Sequence, residues 1–153
     1  MYPKVSEQLE QKGDIPSPRY GATLTAIAGS PIAKDRAFLF GGLTQPYFHT
    51  DEAYINPNLN PYEEMTTDPQ VYELKYNLNE NKFIWSKVSV IGPQPLPRAF
   101  HSASFKHDKL IVMGGINIET AAEYQPLDPW ILDIKTEWWK ISEALCSAKN
   151  DPL

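Results

Sequence analysis

The sequence predicts an all-β fold built from repeated four-stranded antiparallel units, and three observations carry that prediction. The stretch from Pro97 to Ile141 alternates short apolar runs with turn residues in a fixed order. The same order of landmarks stands earlier in the chain, between Pro18 and Val88. Fourteen prolines and eight glycines among 153 residues suit short strands joined by many turns and do not suit long helices.

The later unit reads strand by strand. Pro97-Arg98-Ala99-Phe100-His101-Ser102-Ala103 alternates apolar with polar residues and predicts a first strand. A turn at Lys106-His107-Asp108 leads into Lys109-Leu110-Ile111-Val112-Met113, an almost wholly apolar run of the kind buried on both faces, which Gly114-Gly115 closes. After a loop, Trp130-Ile131-Leu132-Asp133 gives a third strand, Lys135-Thr136-Glu137 a polar turn and Trp138-Trp139-Lys140-Ile141 a fourth. Four strands in about 45 residues is the period of one β-propeller blade.

The earlier copy opens with Pro18-Arg19-Tyr20-Gly21-Ala22-Thr23-Leu24 and continues through Arg36-Ala37-Phe38-Leu39-Phe40-Gly41-Gly42 and Val71-Tyr72-Glu73-Leu74 to Phe83-Ile84-Trp85-Ser86-Lys87-Val88. These residues resemble the kelch repeat family, whose marks are a Pro-Arg opening, an apolar strand ending in Gly-Gly, and spaced Tyr and Trp. The resemblance covers nearly the whole chain. It implies a partial kelch β-propeller of about two four-stranded antiparallel blades plus one extra N-terminal strand.

The extra strand is expected because an aromatic, any residue, Lys, a β-branched residue and Ser recur at Tyr2 to Ser6, Trp85 to Ser89 and Trp138 to Ser142. Residues 1–12 are then the fourth strand of a preceding blade and a linker, 13–89 a blade with a long loop at 43–70, 90–142 a second blade, and 143–153 a tail or linker. A free helical turn from Ser6 to Lys12 is the alternative for the start. Closed propellers take typically four to eight blades. Two blades leave faces to be covered by further blades or by self-association, so the chain is expected to be a fragment of a larger propeller.

Composition narrows the function classes. A net charge of -5 and a pI near 5.2 argue against a nucleic-acid surface, which needs clustered Lys and Arg. No apolar run approaches the roughly 20 residues that span a bilayer, and the first residues lack a signal peptide's apolar core. A single cysteine, Cys146, cannot form an internal disulfide. These features predict a cytoplasmic or nuclear protein.

The long loop is the first functional candidate. It holds Tyr47, Phe48, Tyr54 and Tyr62 with Asp51, Glu52, Glu63, Glu64 and Asp68, and neither Lys nor Arg. Asn60-Pro61-Tyr62-Glu63 within it predicts a short helical turn. The second copy's equivalent, Ile116 to Pro129, is acidic through Glu119, Glu123 and Asp128. An antiparallel meander puts both loops and the linker Val90 to Pro97 on one edge. Aromatics among charges of one sign suit a protein partner with a basic or mixed-charge segment; ordinary solvated surface is the alternative.

By the resemblance, Arg19 and Arg98 lie near the mouth of a central channel, where arginine can hold acidic peptide groups. The alternative is that each pairs with a carboxylate of an adjacent blade and fixes the linker. Trp85 and Trp138 share one position of the two copies and are expected to fill the space between blades; Trp130 and Trp139 alternate less clearly, and one of them is the candidate for exposure. Copper-dependent kelch oxidases use a cysteine cross-linked to tyrosine with histidine ligands, whereas here Cys146 lies in the tail and His49, His101 and His107 lack metal-ligand spacing. The expectation is a non-catalytic interaction module, scaffold or substrate adaptor without cofactor or metal. The alternative is part of a kelch-type oxidoreductase or sugar-acting enzyme whose site other blades complete.

Overall fold

The computed structural model describes residues 9–27, 36–44, 66–117 and 128–141, and the regular structure among them is all β. Tyr2 to Ser6 and the turn at Asn60 to Glu63 lie outside the described residues. Two antiparallel four-stranded meanders dominate. The first comprises β3 (Thr23–Ala26), β4 (Arg36–Phe40), β7 (Tyr72–Asn77) and β8 (Lys82–Lys87); the second comprises β9 (Ser102–Lys106), β10 (Lys109–Met113), β11 (Trp130–Asp133) and β12 (Trp138–Ile141).

Each meander is closed by the same turn chemistry. The Asn77 carboxamide oxygen accepts the backbone N–H of Asn79 and Glu80 after β7, and Asp133 accepts those of Lys135 and Thr136 after β11. Both turns end on a left-handed residue, Asn81 at φ 53 and Glu137 at φ 60. Between β9 and β10, His107 and Asp108 both take positive φ, which the tight two-residue hairpin requires.

The first strands start later than the alternation predicted. Gly21 at φ +70 separates β2 (Arg19–Tyr20) from β3, and Phe100 at φ +57 stands at the matching position before β9. A left-handed residue turns the chain out of the extended path, so the Pro-Arg segments form a separate layer. β2 pairs with β5 (Leu43–Thr44), which pairs with β6 (Thr66–Thr67), tying together the ends of the long loop. In the second copy the corresponding pairing among the described residues is the antiparallel bridge Ala99 to Ile116.

The linkers also form edges. Where a plain linker was expected, β1 (Gln11–Gly13) runs parallel beside β8, and the Ile91 to Trp138 bridge repeats the arrangement beside β12. The sequence signal is Gly-x-x-Pro-x-Pro-Arg at identical spacing, Gly13 to Arg19 and Gly92 to Arg98.

The meanders stack face to face, and strand pairing assigns every side chain to a face. On the first meander Thr23, Thr25, Phe38, Phe40 and Glu73 point toward the second. On the second Ala103, Phe105, Leu110, Val112, Leu132 and Trp139 point back. Phe38 stacks on Phe105 at 6.5 Å and Phe40 meets Trp139 at 5.4 Å. Phe38, Phe40, Leu110, Val112 and Leu132 are fully buried, each contributing roughly 1.5–3 kcal/mol of transfer free energy.

The tryptophan assignment needs correction. Leu74 faces Trp85 across the pair β7 and β8, and its counterpart Leu132 faces Trp139, so Trp85 matches Trp139 and not Trp138. The recurring Lys misleads by one residue, and a one-residue slip exchanges faces. Trp139 is 2% exposed and lies between the meanders, whereas Trp138 is 41% exposed on the far side, over Gly92.

Candidate functional site

One edge collects the Pro-Arg segments, the diglycines and the ends of both long loops. Arg19 Nε donates to the Ser17 carbonyl at 3.1 Å, Nη1 to the Gly41 carbonyl at 3.2 Å and Nη2 to Asp68 Oδ2 at 3.1 Å. Arg98 repeats this: Nε donates to the Leu96 carbonyl at 3.3 Å, and Nη1 to the carbonyls of Gly114 at 3.2 Å and Asp128 at 2.9 Å. In each copy, then, the arginine clamps the linker two residues back, the diglycine, and an Asp-Pro that leads into the third strand. The diglycine and the Asp-Pro belong to the arginine's own meander, not an adjacent one. Asn117 adds a bond from its carboxamide to the Pro97 carbonyl at 2.7 Å.

Burial explains why these cations keep their hydrogen bonds. Arg98 is 1% exposed, and desolvation lowers its pKa while the nearby Asp128 charge offsets part of the effect. A guanidinium is not deprotonated in proteins, so the side chain keeps its charge there. Arg19 is held by the Asp68 carboxylate and lies over the Tyr72 ring at 5.2 Å. Burial, together with the hydrogen bond and charge of Asp68, raises the Tyr72 phenol.

The edge is also where the meanders lock together. Gly42 N–H donates to the Arg98 carbonyl at 2.9 Å, and Phe100 N–H to the Gly21 carbonyl at 2.8 Å. His101 Nε2 shares a 2.8 Å hydrogen bond with Thr23 Oγ1, while its Nδ1 is buried without a partner. Its ring meets Phe40 edge-on at 5.4 Å. Burial first, and the Arg98 charge second, push the His101 pKa down to about 4 from 6.5.

That shift gives a pH prediction. Because folding depresses this pKa, the unfolded chain binds the proton more tightly, so the stability contribution is full above about pH 6.5 and is lost as pH falls toward 4. The gap between 6.5 and about 4 is worth up to about 3 kcal/mol at 1.36 kcal/mol per pH unit. Urea unfolding of wild type and His101→Gln from pH 7 to pH 4 should show the variant's curve flatter across this window. Parallel curves would contradict it.

Two aromatic side chains crown the edge. Phe100 is 57% exposed, its ring lies over Gly21, and it meets Tyr20 at 6.0 Å. Where the first copy has glycine, the second holds an aromatic residue in the left-handed region, at a cost of about 1–2 kcal/mol. Sequence reading passed over Phe100 as an ordinary strand residue; its alignment with Gly21, two residues after each Arg, was the available signal.

Of the residues singled out from sequence, Arg19 and Arg98 stand on this edge. Tyr47, Asp51, Glu52, Tyr54, Glu63, Glu64, Glu119 and Glu123 lie outside the described residues. Among the described residues, no three His, Cys, Asp or Glu side chains come together in a way that could hold a metal ion.

No family model matches the chain. It is similar to the Rho GTPase-activating protein gacHH of Dictyostelium discoideum, 27% identical over 110 residues that make up 71% of this chain. The match spans 5% of that much longer relative. Among solved structures it is similar to YjhT at 18% identity and a TM-score of 0.48, covering 82% of this chain and 32% of that one.

Proposed function

We propose that this chain is part of a kelch-type β-propeller, the two meanders being neighbouring blades, and that the Pro-Arg edge binds a protein partner without catalysing a reaction. The observation that carries the binding site is Phe100. An exposed aromatic held in a strained backbone conformation gains little for the fold, and strain of this kind clusters at binding sites. Beside Tyr20 on an open edge it has the character of an interface anchor, where aromatics are enriched. The loop sequences leaving this edge carry Asp51, Glu52, Glu63 and Glu64 with no Lys or Arg between 43 and 70, so the partner segment is basic or of mixed charge. The arginine clamps hold the edge rigid and need no partner to neutralise them.

A photoreactive phenylalanine analogue at position 100 identifies the partner by cross-linking, with the same analogue at exposed Leu78, on the opposite edge, as control. With the captured protein purified, Phe100→Gly should leave stability unchanged or raise it by up to about 1 kcal/mol. It should weaken partner affinity at least about 10-fold, as loss of an interface anchor does. An unchanged affinity, or equal cross-linking from position 78, would overturn the assignment.

A further inference from the structure

The two meanders present one interface inside the chain and its two complementary halves outside. The far side of the first meander carries Leu24, Ala26, Ala37, Leu39, Leu74 and Trp85. By register these match Ala103, Phe105, Leu110, Val112, Leu132 and Trp139, the side of the second meander that the first one covers. Yet Leu24 is 55% exposed, and Ala26, Ala37 and Leu74 with Tyr76 and Phe83 line an open depression of about 290 Å³.

The far side of the second meander is the other half. Ile111 and Met113 match Phe38 and Phe40, and Ile131 replaces the charged Glu73. Met113 is 43% exposed where Phe40 is fully buried. The diglycines mark the same difference: a side chain added at Gly41 would meet the Arg98 carbonyl and His101 of the following meander, whereas one added at Gly114 meets nothing within 4 Å among the described residues.

We propose that copies of this chain associate head to tail, the far side of the second meander of one copy seating on the far side of the first meander of the next. The occupant is argued from the chain's own interface, which shows that a surface with these register positions accepts its counterpart. The two faces differ, so the contact is heterologous and propagates or closes into a ring. This rests on strand register and not on the partner-binding role of Phe100, whose variant leaves both faces intact.

Sedimentation of the full chain from low to high micromolar concentration should show reversible oligomers. Leu24→Glu breaks one face and Met113→Glu the other, and both sites are exposed, so each variant should stay folded by circular dichroism and sediment as a monomer. Mixed at equal concentration, the two retain one intact face each and should give a dimer and nothing larger. A monomeric wild type across the range, oligomers in either single variant, or a mixture that stays monomeric would overturn the proposal; the first of these would leave the faces to other blades.

Discussion

Arg98→Ala should lower unfolding stability by about 3–4 kcal/mol, one of the two largest single-residue effects expected in this chain. The substitution leaves the Leu96, Gly114 and Asp128 carbonyls without their donor and opens a cavity where a side chain is 1% exposed. Arg98→Met, which keeps most of the volume, should recover the cavity part and still cost about 1–3 kcal/mol for the unmet acceptors. Denaturant unfolding measures both. At temperatures where Arg98→Met stays folded, its affinity for the partner should match wild type, because the guanidinium faces its own meander. A stable Arg98→Met with faster partner dissociation would restore the channel-mouth role that the family resemblance suggests.

Gly41→Ala should be as damaging, at about 3 kcal/mol or more, while the same change at its counterpart Gly114 should cost only about 1 kcal/mol. Both glycines hold left-handed backbone, φ +70 and +69, so the conformational penalty is shared. They differ in surroundings: an alanine Cβ at Gly41 would lie 2.2 Å from the Arg98 carbonyl oxygen and 2.6 Å from the His101 ring. Backbone on the far side cannot yield without parting the meanders. Similar costs at the two positions would contradict the stacking.

The all-β antiparallel organisation was legible because its landmarks are local. Gly-Gly, Pro-Arg and the apolar runs fix turns and strands within a few residues of themselves, and the period of four strands follows from their order. Three features were not legible. The first strands' late start depends on Phe100 accepting positive φ, which nothing in an alternating Ala-Phe-His-Ser run announces. The match of Trp85 to Trp139 depends on pairing across β7 and β8, and the repeated Lys two residues before the end of the pattern pointed to the neighbouring residue. Beyond the linker two residues back, the arginine clamps join residues 16 to 49 positions apart, from Arg98 to Gly114 and from Arg19 to Asp68, so only the Pro-Arg half of each was visible in the sequence.

The site was legible in part for the same reason. Meander topology places the linkers and the ends of both loops on one edge, and Arg19 and Arg98 were found there. Their burial was not foreseen, since a charged side chain after proline gives no sign of which carbonyls will surround it. The exposed aromatic pair that the edge presents, Tyr20 and Phe100, comes from two different copies and meets only when they stack.

Amide hydrogen exchange with and without the captured partner tests the central claim most directly. Binding at the Pro-Arg edge predicts new protection at residues 18–21, 96–101 and 113–117, with exchange at the turns 77–81 and 133–137 unchanged. Protection confined to those turns, which lie at the opposite ends of the strands, would contradict it.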